Sequence, residues 1–304
     1  MTDVMHQNSP HARFVAPAQS HPHIWRLLVG IMLIIAVYFG GILALLGVIW
    51  ASAGFDAMVM WSARLTAGNT PGAVLLVLAT FSGMAIGPMI AAKVLHKRPA
   101  ATVFGPMRGV LHGFGLGAGV VGGIIGLSVL LIDPGYAPVP NVDASVWLAF
   151  LPLALVGLLI QTGAEEVLFR GYLQQQLAAR FKSSLIWAVL PSLVFGLLHF
   201  NASADASIAW LTVAATGLFG LLAADLTRVT GNIGLAWGFH FANNAFALLV
   251  VALDGPLSGL ALYTTPFTAA DTATLLPLIA RDMAVTLSLW AVLRVVIRVT
   301  TART

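Results

Sequence analysis

Six polar side chains stand inside otherwise apolar stretches of this 304-residue sequence, and their types permit acid–base chemistry. Glu165, Glu166 and Arg170 fall in GAEEVLFRGYL, which follows the run WLAFLPLALVGLLI with only Gln161 and Thr162 between. His199 lies in FGLLHF, and His240 and Asn244 lie in HFANN. The two glutamates are the only ones in the chain. A carboxylate at mid-membrane costs roughly 2.5–3.5 kcal/mol on an insertion scale, so an adjacent pair needs partners or a use. A carboxylate, two imidazoles and an amide can move protons to and from water, line an ion path, or hold a metal. The plainer reading is that the charged cluster marks the cytoplasmic end of a span.

Helical geometry separates the two glutamates. Glu166 and Arg170 are about 40° apart around a helix axis and can pair. Glu165 is turned about 100° from its neighbour and about 140° from Arg170, and shares its face with Gln161. Glu166 and Arg170 therefore read as a structural pair, while Glu165 is left for chemistry. Depth allows a meeting with His199. Measured from the loop at 180–183, Glu165 lies about 22 Å away and His199 about 24 Å. His240 and Asn244 come out shallower by about 5–10 Å, which a tilt or a buried loop must absorb. Pro191 supplies a bend, because it removes a backbone hydrogen bond to Trp187.

The elements that carry these residues follow from composition. The chain is 59% hydrophobic and 9% charged, against roughly 45–50% and 25% in soluble domains. So few charges cannot clothe a water-soluble surface, and an all-α polytopic membrane bundle is expected. With no cysteine, disulfides and thiolate chemistry are excluded. About eight apolar runs reach spanning length, at 27–50, 72–95, 109–132, 147–170, 184–200, 208–226, 232–252 and 275–297. Lys93, Lys97, Arg98, Arg108, Arg180, Lys182 and Arg228 occupy alternate connections, and Arg13, Arg26, Arg294, Arg298 and Arg303 flank the outermost spans. The other connections offer only Arg64 and Arg281, among aspartates. The positive-inside rule then places both termini in the cytoplasm. The same rule accounts for the basic pI, so no nucleic-acid partner is expected.

Residues 1–23, polar and carrying His6, His11, His21 and His23, are expected to form a disordered cytoplasmic tail with solvated histidines. Residues 24–304 are expected to form one membrane domain with an uncleaved first span. In the third span, Gly115, Gly119 and Gly123 stand at the spacing of a helix-packing seam, and His112 reads as interfacial.

Taken in order, three segments resemble a known family. Glu165-Glu166-Val-Leu-Phe-Arg170 is similar to the EExxxR motif of the CPBP family, the CAAX prenyl protease type II and bacteriocin-processing (Abi-like) group. Phe195–His199 resembles its FxxxH motif and His240–Asn244 its HxxxN motif, within a core at about 147–250. The resemblance implies an intramembrane endopeptidase acting on a membrane-anchored protein or peptide. It implies Glu165 as general base, His199 as its partner on the attacking water, and His240 with Asn244 as the oxyanion site. No cofactor is expected; the alternative is zinc held by Glu165, His199 and His240. The rival functions are a transporter or proton relay, and a non-catalytic membrane scaffold or immunity partner. If the protease reading holds, the four side chains should converge on one water-accessible cavity, opening to the cytoplasm or laterally to lipid, with the cytoplasmic route favoured.

Overall fold

The computed structural model describes residues 9–301. It is a helical bundle: α1 (Pro10–Val15), α2 (Ile24–Ala53), α3 (Phe55–Ala67), α4 (Pro71–Val94), α5 (Met107–Leu131) and α6 (Ala144–Glu166). Beyond these come α7 (Gln175–Arg180), α8 (Leu190–Leu197), α9 (Ala206–Thr230), α10 (Gly234–Ala245) and α11 (Thr272–Thr301). Wider π turns at Val167–Gln174, Leu185–Val189 and Phe246–Val250 join α6 to α7, lead into α8 and extend α10. Six helical stretches are long and apolar enough to cross a membrane: Ile24–Ala53, Pro71–Val94, Ala100–Leu131, Ala144–Arg180, Ala206–Thr230 and Thr272–Thr300. This is an integral, multi-pass membrane protein.

The expected order of about eight segments holds, but the fifth and seventh are short. Leu185–Leu197 is an apolar helix below spanning length, and its wide turn ends just before Pro191, the bend its missing N–H favours. The seventh begins only at Gly234, because Asn232 and Ile233 before it are buried inside the bundle. That buried loop absorbs the depth mismatch between His240 and Glu165. The helix α3 falls where the sequence suggested only a connection; its Phe55, Val59 and Met60 are exposed and its Arg64 covers Trp61.

The connections sort onto two sides. On one, Arg26 donates to the Leu95 carbonyl, Ile233 N–H to that of Phe104, and Gly231 lies against Pro10. On the other, β1 (Val139–Pro140), β3 (Tyr263–Thr268) and β2 (Val251–Asp254) form a small sheet in that order. The basic connections share the first side, the one assigned to the cytoplasm.

Two expectations need correction. The seam in α5 is not Gly115, Gly119 and Gly123: a Cβ at any of these would meet nothing within 4 Å. The close contact to α10 runs instead along Gly113 and Gly117, where a Cβ would press within 2.8 Å and 2.6 Å of the Leu235 backbone. Both rows have the same four-residue spacing, so spacing alone could not choose between them. Nor is the N-terminal segment disordered from Ser9 onward. Ser9 caps α1, Phe14, Val15 and Ala18 are buried, and Gln175 donates to the Phe14 carbonyl at 2.7 Å. The apolar pair Phe14 and Val15 outweighs the polar residues around it. His6 lies outside the described residues.

Candidate active site

The segment with the two glutamates ends α6 and enters the first π turn, buried from Gln161 through Val167. Arg170 stands one turn past Glu166 and pairs with it, Nη1 to Oε1 at 2.8 Å, as the sequence spacing predicts. Its other amino group donates to the Gly220 carbonyl on α9 at 3.1 Å. One turn further, Gln174 donates to the Ala224 carbonyl at 3.1 Å. Two consecutive turns are thus stitched to α9 by polar side chains. The rings of Phe169, Phe195 and Phe219 surround the guanidinium within 6.0 Å, favourable faces for a desolvated cation.

His240 links the two carboxylates. Its Nδ1 lies 2.9 Å from Glu166 Oε1 and its Nε2 3.3 Å from Glu165 Oε2. Both ring nitrogens therefore face carboxylate oxygens, so each proton on the ring has an acceptor. The second oxygen of this approach, Glu165 Oε2, is buried and makes no hydrogen bond of good geometry. An underused carboxylate oxygen beside an imidazole is an arrangement that can take a proton from a third group placed between them. One turn along α10, Asn244 donates its amide to Gln161 Oε1 at 3.0 Å. Trp237 donates to the Thr162 hydroxyl at 3.1 Å and so pins α10 to the same helix. Gln161 does share the Glu165 face, but its partner there is Asn244.

His199 closes α8 and is exposed. Its Nδ1 stands 2.8 Å from the Phe195 carbonyl oxygen one turn earlier. A carbonyl only accepts, so Nδ1 carries a proton and Nε2 is the nitrogen with a free lone pair when the ring is neutral. His199 continues the buried face of Ser192, Phe195 and Gly196, and is uncovered because the helix stops there. Its ring packs on Phe195, which in turn lies 6.2 Å from His240. Among the described contacts, Glu165 meets His240 and no polar contact joins it to His199.

Neither described cavity is the water-accessible one expected around the four side chains. One described cavity, lined by Phe169, Arg170, Gln174, Pro191, Ser192 and Ala224, is too tight for water. The other is a groove of about 270 Å³ between α5 and α11, away from the site. Toward the basic loops Arg170, Gln174, Gln175 and Gln176 are buried and stand across the route the sequence favoured. Gln175 receives the Arg98 guanidinium and donates to the Phe14 and Thr102 carbonyls, so this plug is cross-linked rather than loose. The zinc alternative finds no complete donor set: among the described residues no three His, Asp or Glu side chains come together as metal ligands. Glu165 and His240 meet, and no direct polar contact joins either of them to His199.

Residues 146–246, which include Gln161, Glu165, Glu166, Arg170, His199, His240 and Asn244, match the family of type II CAAX prenyl endopeptidase Rce1-like proteins. The site region resembles that family. A protease of the membrane is the general class this supports. Over 262 residues, 81% of this chain and 84% of the relative, the sequence is 27% identical to the Bacillus subtilis (strain 168) protein titled "Uncharacterized protein YyaK". That similarity reaches well beyond the Rce1-like region, into the flanking spans. No solved structure matches the chain.

Proposed function

We propose that this protein is an intramembrane endopeptidase in which Glu165 activates the attacking water. The observation that carries the reading is the pairing of Glu165 Oε2 with His240 Nε2 at 3.3 Å, while Glu166 is taken up by Arg170 and His240 Nδ1. In this reading Glu165 removes a proton from water, the water oxygen attacks the peptide carbonyl, and the proton passes to the leaving amine. The products are a carboxylate and an amine. His240 holds the carboxylate in place, and the second amide hydrogen of Asn244 is the donor toward the developing oxyanion. Gln161 orients that amide. His199, through Nε2, binds the water from the open side. Glu166 and Arg170 form the neutral pair on which His240 rests. The substrate is a peptide held by an apolar anchor in the bilayer, since all these groups lie within membrane-embedded helices.

The experiment is a digest of membrane-anchored peptides by purified protein in nanodiscs, read by mass spectrometry, with Glu165→Gln alongside. Cleavage that disappears in Glu165→Gln supports the reading. Cleavage that survives in it removes Glu165 from the mechanism, and no cleavage by the parent points to a non-catalytic scaffold.

A further inference from the structure

The exposure of the site residues is one-sided. Toward the basic loops, Glu166, Arg170, Gln174 and Gln175 are each at most 2% exposed. In the other direction Asn244 is half-buried and His199 exposed, each near the end of a segment that runs away from those loops. The connections that extend the site helices on that side are residues 132–143 before α6, 199–205 after α8, and 251–271 after α10. Together they carry Asp133, Asp143, Asp205, Asp254 and Asp271, all exposed, and no lysine or arginine. Two cations share that face: Arg281 on α11, which reaches the Pro134 carbonyl at 3.4 Å with Asp282 beside it, and exposed Arg64 on α3, which also carries exposed Asp56.

We propose that substrate reaches Glu165 from the face opposite the basic loops, at the open end of α8, and that it carries basic residues where it leaves the membrane on that face. The inference rests on the protease reading for the word substrate, but the one-sided exposure and the charge of the connections are properties of the fold. Short α8 leaves the gap, because its helix ends at Leu197 while its neighbour α9 begins only at Ala206. The exposed aspartates of these connections make that face acidic, which attracts a cationic segment and repels an anionic one. The apolar residues Leu193, Leu197, Leu198 and Phe200 flank the same opening and suit the substrate's membrane anchor.

Absence of cysteine makes the test direct. Single variants His199→Cys, Asn244→Cys and, as a marker of the basic side, Ser183→Cys are each placed in oriented membrane vesicles. Two membrane-impermeant methanethiosulfonates, one cationic and one anionic, are then added from either side. His199→Cys and Asn244→Cys should react from the side opposite Ser183→Cys. At His199→Cys the cationic reagent, normalised to a free thiol, should be faster by about tenfold, and Asp205→Asn with Asp254→Asn should shrink that ratio. Reaction of His199→Cys from the Ser183 side, from neither side, or without charge preference would overturn the proposal. His199 is exposed, so its variant carries the test if Asn244→Cys fails to fold. Because labelling needs no catalysis, an inactive parent would sink the protease reading and leave this result standing.

Discussion

His240 stands between Glu165 and Glu166, with Nε2 3.3 Å from one carboxylate and Nδ1 2.9 Å from the other. One imidazole therefore ties the glutamate proposed to act on water to the glutamate held by Arg170. A change at His240 should reach both functions, and the two can be separated by experiment.

His240→Ala should lower peptide cleavage by about 10²–10⁴-fold, the range for losing a positioned proton-transfer partner. It should also lower thermal stability, because Glu166 loses one of its two partners. His240→Gln keeps a donor toward one carboxylate and should recover stability more than turnover. Equal recovery of both would reduce His240 to a packing residue.

Arg170→Ala leaves Glu166 buried with only His240 beside it, and breaking such a pair costs about 3–5 kcal/mol. The expected readout is a large fall in melting temperature and yield. Arg170→Lys should rescue little, since a point ammonium cannot reach both Glu166 and the Gly220 carbonyl as the planar guanidinium does. A stable but inactive Arg170→Ala protein would reassign the residue to substrate binding.

The two glycine rows of α5 can be told apart by a methyl group. In Gly117→Ala the new Cβ would collide with the Leu235 carbonyl and the Phe239 amide, both backbone atoms. Overpacking of that kind costs about 1–3 kcal/mol. Gly119→Ala meets open space and should gain up to about 1 kcal/mol from helix propensity. Urea or thermal unfolding in detergent distinguishes them; equal effects would mean that α5 packs through the other row.

The N-terminal segment should dock in a pH-dependent way. His11 stacks on Trp187 with ring centroids 4.7 Å apart. Burial, reinforced by the nearby Arg228 charge, pulls its pKa down from 6.5 to about 4. The docked form thus binds fewer protons than the released one. Docking is complete above pH about 6.5 and weakens as pH falls from there toward about 4. Amide hydrogen exchange over residues 10–18, corrected for the intrinsic rate, should rise across that window in the parent and stay flat in His11→Phe. A flat parent profile would mean that the histidine is not what releases the segment.

What the sequence determined by itself is local or periodic. Apolar runs of spanning length, alternating basic loops, and the four-residue step from Glu166 to Arg170 depend only on helix geometry and the cost of charge in hydrocarbon. These yielded the bundle, its even topology and the buried ion pair. Tertiary structure decided everything that needs the relative rotation and depth of separate helices. Which glycine row of α5 meets α10 is a matter of rotation. That His240 rather than His199 faces Glu165 depends on the buried loop at Asn232–Ile233, which lowers α10 into the bundle. The closed side toward the basic loops involves Phe14, brought from far along the chain to accept from Gln175. Periodicity fixes which residues share a helix face, but only packing between faces fixes what they touch.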